Sequence, residues 1–308
     1  MSNILAEKNV KKARVLSFVL VLLVAAVAVL YYYVNRPNEA SKIHISTNPW
    51  VGFTPFIYAQ EKGWLEKTPF QFMWLVDLTD NARLYERGFT QGFTATQYEL
   101  FHFKNHDTIK PVFLIDRSNG ADAIVSNRSL QEIRDSKEPV DVYLERESLN
   151  EDFFEAFLRE NGLNRDHFHK IDASQKSIVT LQPSQKPIVI ISYEPYISKL
   201  YAKGFVPLAS TRTMKTFFVI DALYMDEAVI EGREKEFRHL KELFQVSVER
   251  LKSDPHEYYQ TVKGYLEGQS YEEFMHSVSQ IEWLYEGQRN DIIEHLRKQK
   301  VGTDKLLP

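Results

Sequence analysis

Between Lys42 and Lys67 the chain reads KIHISTNPWVGFTPFIYAQEKGWLEK, and this stretch gathers hydrogen-bond donors and aromatic surface within a few residues. Lys42, His44 and Ser46 alternate with Ile43, Ile45 and Thr47, the period-two pattern of a half-buried strand. Asn48, Pro49 and Gly52 break that pattern, Pro55 suits the first turn of a following helix, and Gly63 closes it. Backbone N–H groups near Thr54 to Ile57 then lack helical partners and point at the turn, with Trp50 and Phe53 beside them. Such a turn can hold a ligand by donors and an apolar wall together. It can equally be a sheet end covered by two aromatic rings, and the stretch taken alone leaves both readings standing.

Other reactive residue types are sparse. His102 and His106 stand four apart on an expected helix, and His167 and His169 share one side of an expected strand, yet neither pair carries the HExxH pattern or a matching carboxylate. Solvated or partly buried histidines account for them. No G-x-S-x-G, P-loop or dinucleotide fingerprint is present, and the absence of cysteine excludes thiol catalysis, disulfides, cysteine zinc sites and a cysteine-linked lipid anchor. Arg83, Arg117 and Arg212 are candidates to pair an anion through the planar guanidinium fork, with solvated surface the ordinary assignment. These residues speak for binding rather than turnover, so no catalytic residue, metal or cofactor is expected.

The elements that must position these groups occupy a chain of 308 residues with a net charge of -4, long enough for one large or two medium domains. No concentrated basic face lies beyond the N-terminus, so no nucleic-acid partner is expected. Val15 to Val34 is an apolar run interrupted only by Ser17 before three tyrosines. As a helix it spans roughly 30 Å, the thickness of a bilayer's hydrocarbon core. Lys8, Lys11, Lys12 and Arg14 precede it, so the positive-inside bias keeps residues 1–14 cytoplasmic and exports everything after the span. Cleavage after Ala26-Val27-Ala28 is the rival reading, and it would leave Val29, Leu30 and three tyrosines on a mature terminus. An uncleaved anchor at 15–34 and a linker at 35–41 are therefore expected.

Beyond the linker, strand-like and helix-like segments alternate. Phe70 to Val76, Gly92 to Thr94, Ile109 to Ile115, Ala121 to Val125, Val140 to Leu144 and Pro187 to Ile191 read as strands, as does FFVID from Phe217. A helix capped by Asn150 carries Phe153, Phe154, Phe157 and Leu158 on one face. Ser129 with Glu132, and Ser270 with Glu273, have capping-box spacing. This order predicts α/β crossover units, a mainly parallel sheet with ligands at its strand ends, two α/β lobes and a helical tail.

Four motifs in order resemble the periplasmic solute-binding proteins of the nitrate, sulfonate and taurine ABC importers, including relatives that bind thiamine-precursor pyrimidines. They are NPWVGFTPFIYAQEKGWLEK at Asn48 to Lys67; Gly88-Phe89-Thr90-Gln91 followed by Thr94-Ala95-Thr96-Gln97-Tyr98-Glu99; DRSNGADAIVSN at Asp116 to Asn127; and SYEPY at Ser192 to Tyr196. Together they cover most of Lys42 to about Asp221. The resemblance implies a type II periplasmic-binding-protein fold with a hinge crossed twice: lobe one from 42–125 and 214–308, lobe two from 126–213. It places Trp50, Gly52, Phe53, Thr94, Thr96, Ser118, Asn119, Tyr193 and Glu194 near the cleft, with Ser148 at a helix start in lobe two. Tyr193 stands where the family often has Trp. Gln91 and Gln185-Lys186 replace residues that are usually acidic or glycine, so the family's ligand choice transfers poorly. The anchor also departs from members that are free or linked through Cys.

The residues so placed suit capture of a small molecule. Thr94, Thr96, Ser118, Asn119 and Ser148 offer donors, Trp50 and Phe53 an apolar cover, and Glu194 an acceptor for an amine. Strand propensity, turn chemistry and a helix start also explain these residue types. The expectation is a membrane-anchored, extracytoplasmic solute-binding protein that serves an ABC permease, with a ligand sensor acting through a membrane partner as the alternative.

Overall fold

The computed structural model describes residues 42–75, 78–286 and 289–307, and before them only Ala25, so the expected span at 15–34 is otherwise outside the described residues. Among the described residues no helix is long and apolar enough to cross a membrane. From Ile43 onward the chain is one unit containing two sheets.

The alternation at Ile43 to Thr47 builds strand β1 (Ile43–Thr47), whose Ile43 and Ile45 enter the core. A 3-10 turn at Val51–Phe53 leads into helix α1 (Thr54–Glu61), with Pro55 in its first turn and Gly63 in the left-handed region beyond its end. Strand β2 (Phe70–Trp74), α2 (Leu78–Glu86), β3 (Gly92–Thr96), α3 (Gln97–Leu100) and β4 (Ile109–Ser118) follow. Three residues later β5 (Asp122–Ser126) opens the second sheet, continued by α4 (Leu130–Asp135), β6 (Val140–Leu144), α5 (Leu149–Asn161), β7 (Phe168–Asp172), α6 (Gln175–Ile178), β8 (Ile188–Tyr193), α7 (Tyr196–Ala202) and β9 (Val206–Ser210). The chain then returns through β10 (Ile220–Asp226), α8 (Glu227–Ile230), α9 (Glu234–Ser253), α10 (Pro255–Val262), α11 (Tyr271–Ser279), β11 (Ile281–Trp283) and α12 (Asn290–Lys298).

The first sheet has the order β11-β4-β10-β3-β1-β2 and the second β7-β6-β8-β5-β9. Neither is mainly parallel, which corrects the expectation from the α/β order. Only β1 with β2 and β3, and β6 with β7 and β8, run parallel, whereas β10 opposes β3 and β4, β11 opposes β4, and β5 opposes β8 and β9. Parallel neighbours arise where a helix packed on the sheet returns the chain to the same end. Strands β5 and β10 are entered from the other sheet with no such helix, so they run against their neighbours.

Each lobe has its own apolar core. In the first, Phe56 stacks on Phe72 with ring centroids 4.5 Å apart and meets Phe244 at 5.0 Å. Phe237, Leu240, Phe244 and Val248 recur at helical spacing on α9 and are all buried. In the second, Phe153, Phe154, Phe157 and Leu158 on α5 pack against Val142, Leu144 and Ile191. Full burial of each such ring is worth about 1.5–3 kcal/mol. The cap of α5 is Ser148, not Asn150: Ser148 Oγ accepts from Asn150 N at 3.2 Å, and Asn150 lies inside the first turn. Gly162 at φ 60° supplies the left-handed stop. The capping boxes at Ser129/Glu132 and Ser270/Glu273 form as their spacing predicts.

Candidate functional site

Two short passages join the sheets, one at residues 119–121 between β4 and β5 and one at 211–219 between β9 and β10. They are fastened to each other. Ser118 Oγ and Thr211 Oγ1 are 2.7 Å apart, Gly120 N donates to Thr211 Oγ1 at 2.9 Å, and Asp122 N donates to Ser118 Oγ at 3.2 Å. A small cavity, about 330 Å³ of non-atom space when the open solvent at its mouth is included, lies beside these passages, walled by Asn48, Trp50, Phe53 and Thr96 of the first lobe and Leu149 and Tyr193 of the second. Asp122, Val219 and Asp221 complete it from the crossing strands. A second space of about 410 Å³ opens outward, bounded by Asn48, Trp50, Tyr193, Glu194, Tyr196, Glu267 and others. Trp50 and Tyr193 wall both spaces and meet edge to face at 5.9 Å between centroids.

The turn at Asn48 to Pro55 differs from its expected form in one respect. Phe53 N donates to Trp50 O at 2.9 Å and Thr54 N to Val51 O, so of the N–H groups expected to stay open from Thr54 to Ile57 the 3-10 turn uses that of Thr54. Thr54 Oγ1 also donates to Val51 O at 2.7 Å and accepts from Tyr258 at 3.1 Å. The turn therefore offers the cavity rings more than N–H groups.

Behind the cavity lies a set of buried carboxyls. Asp116 on β4 is opposite Asp221 on β10, and Asp221 is in turn opposite Thr96 on β3. Relative exposures are 0% for Asp116, 3% for Asp122 and 4% for Asp221. Asp122 Oδ2 and Asn48 Oδ1 have no hydrogen-bond partner, and the Asp116 oxygens and the Trp50 indole N–H, which lie together around Gly52, fall short of full bonding geometry. Burial, then the charge of Asp122, pushes Asp116 up to about 8, with the nearby Asp221 carboxyl and Trp50 indole acting the other way. Burial pushes Asp122 up to about 6 against its bond from Ser118, and raises Asp221 well above the ordinary range with help from Asp116 and Glu99. Glu99, buried in the capping box of α3, rises to about 7 for the same first reason.

The ten residues expected at the cleft divide in the structure. Trp50, Phe53, Thr96 and Tyr193 wall the inner cavity, and Glu194 walls the outer one. Glu194 accepts from Ser198 Oγ at 2.9 Å and lies 3.5 Å from His276 Nε2, while burial raises its carboxyl. The others wall neither space. Gly52 backs onto Asp116, and a Cβ there would fall 1.7 Å from Asp116 Oδ2. Thr94 is bonded to Thr47 Oγ1 at 2.6 Å inside the sheet, Ser118 and Asn119 belong to the crossing, and Ser148 caps α5. Sequence reasoning passed over Asn48, Asp122, Leu149, Val219 and Asp221. Asp122 and Asp221 both fall inside quoted segments, DRSNGADAIVSN and FFVID, where an acid on a buried strand was the available signal.

The basic candidates lie elsewhere. Arg117 stacks over Phe218 at 4.5 Å and reaches Glu282 at 3.7 Å, Arg212 donates to Gln280 at 3.1 Å, and neither they nor Arg83 wall the two spaces. The helix bearing His102 and His106 ends at Leu100, which corrects their placement on one helix. His169 is on β7, 3.2 Å from Asp141, but His167 precedes that strand in a 3-10 turn. Among the described residues no three His, Asp or Glu side chains form a metal-binding group.

Two α/β lobes joined by paired crossings, with a cavity at the junction, define the fold of the periplasmic solute-binding proteins, and the chain has that fold. Its similarity extends over most of the length of several solved members. The periplasmic aliphatic sulphonate-binding protein SsuA of Escherichia coli matches with a TM-score of 0.66, 12% identity and 85% coverage of each chain. The ligand-binding component of an ABC-type import system from Staphylococcus aureus, solved with zinc bound, matches with a TM-score of 0.63 and 12% identity over 87% of this chain and 96% of that one. The alkanesulfonate-binding SsuA of Xanthomonas axonopodis, solved with MOPS, gives 0.64 and 10% over 87% and 96%. No family model matches the sequence, and no curated protein matches it. At these identities the likeness is one of fold.

Proposed function

We propose that the protein is an extracytoplasmic solute-binding protein that closes two lobes on a small organic molecule and delivers it to an ABC permease. The observation that carries this reading is the cavity beside the double crossing, walled from both lobes, with Trp50 of one facing Tyr193 of the other. A ligand that touches both walls favours the closed arrangement by the difference between its contacts in the closed and open forms. The structural neighbours described as ABC import components support the transport role. Val15 to Val34 is proposed to anchor the protein in the cytoplasmic membrane with its lobes outside. Tethering also suits a sensor that reports its bound state to a membrane partner, and a neighbouring permease gene rather than a signalling gene favours transport.

The test is capture. The full chain in detergent is incubated with spent growth medium, exchanged into volatile buffer and examined by native mass spectrometry. A bound small molecule that is lost in Trp50→Ala is the expected result; no bound species from any medium sinks the reading. The anchor is tested by alkaline extraction of membranes, from which the protein should not be released.

A further inference from the structure

The wall of the cavity is acidic and holds no base. Asp122 and Asp221 face the space, with Asp116 directly behind, and no lysine, arginine or histidine lines either it or the outer space, where Glu194 and Glu267 lie. A second observation points the same way. Asn48 belongs to no carboxyl cluster, is 5% exposed, lines both spaces and has an unpartnered Oδ1, so a further acceptor faces the cavity beside the unpartnered Asp122 Oδ2. Buried acceptors of this kind ordinarily find donors, and leaving them without any is costly. The donors on the wall are neutral, the Trp50 indole N–H held towards Asp116, the Asn48 amide and the Thr96 hydroxyl, so a positive charge to answer the acids must arrive with the ligand or as protons.

An anion is poorly matched here. A sulfonate or nitrate needs several N–H groups or a guanidinium, but the N–H groups of Phe53 and Thr54 are spent within the 3-10 turn, the arginines lie elsewhere, and the Trp50 indole N–H stands beside the Asp116 carboxyl. The apolar part of the wall, Trp50, Phe53, Tyr193, Leu149 and Val219, suits a hydrocarbon or ring of modest size. Aromatic faces also attract cations. Resting on the solute-binding reading above, we infer that the ligand is a small organic cation, an amine or amidine on an apolar body, whose charged head is received by Asp122, Asp221 and Asn48. Asp116 sets the field behind them, and Trp50 and Tyr193 hold the body.

Burial holds Asp116 at about 8 and Asp221 well above the ordinary range in the unliganded protein, so at pH 7 a cation arriving beside Asp122 displaces protons from them. The experiment uses the full chain in a nonionic detergent at pH 7, with benzamidine, 2-phenylethylamine and 1,4-diaminobutane as cations, benzyl alcohol as the neutral counterpart and methanesulfonate as the anion. The cations, benzamidine first, should raise the melting midpoint by several degrees at millimolar concentration, with proton release seen as a dependence of calorimetric heat on buffer ionisation. Methanesulfonate and benzyl alcohol should shift it little. Asp122→Asn and Asp221→Asn should each cut the cation shift at least tenfold in apparent affinity. Removal of a buried acid whose burial outweighs its bond from Ser118 should also raise the midpoint of the unliganded Asp122→Asn chain at pH 8, which separates loss of binding from loss of fold.

Methanesulfonate stabilising as well as benzamidine, or a cation shift undiminished in both aspartate variants, overturns the assignment. If the cations are silent but a medium-derived ligand is still captured in the mass-spectrometric test, the cation class falls and solute capture stands. If both are silent, both fall.

Discussion

Asp116, Asp122, Asp221 and Glu99 make the protein's stability depend on pH in a direction opposite to that of paired surface carboxylates. Their folded values, about 8 for Asp116, 6 for Asp122 and 7 for Glu99, lie above the ordinary values of 3.8 for Asp and 4.5 for Glu. The folded state therefore binds these protons more tightly than the unfolded chain, and their favourable contribution is complete below about pH 4 and lost as pH rises towards 8. The exposed pairs of Asp141 with Lys186 and Glu257 with Lys62 lower their acids, and so act in the other direction below the ordinary carboxylate range. Chemical denaturation between pH 5 and 8 should show stability falling, by on the order of a few kcal/mol in total, and Asp122→Asn should flatten the part of the slope that lies below about pH 6. A flat or rising profile would count against buried ionisable acids in this set. Gly52 gives a second test at this scale. A Cβ there meets Asp116 Oδ2 at 1.7 Å, so Gly52→Ala should destabilise by about 1–3 kcal/mol. In Asp116→Ala the same change should cost much less, which a double-mutant cycle would read as coupling.

Helix α5 depends on its first residues as much as on its phenylalanines. Ser148 Oγ accepts from Asn150 N and donates to Glu145 O at 2.9 Å, so it fastens the helix start to the loop that follows β6. Ser148→Ala should cost about 1 kcal/mol, measured as a lowered urea midpoint at unchanged slope. Leu149 is the next residue and walls the cavity, so the same substitution should also weaken ligand capture by loosening that wall. Full affinity with lowered stability would confine Ser148 to the helix. Phe157→Ala on the same helix should cost about 3–5 kcal/mol, because Phe157 is fully buried and its neighbours leave a cavity when it is cut back.

The two lobes are joined through residues that line neither space. Thr211 receives Gly120 N and pairs with Ser118 Oγ, which joins the two crossings side by side. Thr211→Val keeps the volume but leaves the buried Ser118 hydroxyl without that partner, with an expected cost of about 1–3 kcal/mol. On the proposed closure the paired crossings absorb the lobe motion, so ligand affinity should change in Thr211→Val although both cavity walls are intact. Small-angle scattering with and without ligand would check this: an unchanged difference between the two states would place the hinge elsewhere.

Local patterns were enough to establish the α/β character, the cores and much of the capping. Phe153, Phe154 and Phe157 show helical spacing, Ile43 and Ile45 show strand spacing, and Ser129 with Glu132 announces a cap, because each of these rests on interactions within a few residues. The ordered motifs also led to Trp50, Phe53, Thr96, Tyr193 and Glu194 on the cavity walls. Strand direction was not legible, since β5 and β10 are entered from the opposite sheet and nothing within either strand records that. The acids were harder still. Asp221 lies about a hundred residues from Asp116 and Asp122; Asp116 and Asp221 each read alone as a polar residue ending an apolar run, and Asp122 as one that opens it. Only the two crossings bring them behind one small space without a base to answer them, and desolvation there, a property of the assembled lobes, gives the cavity its charge.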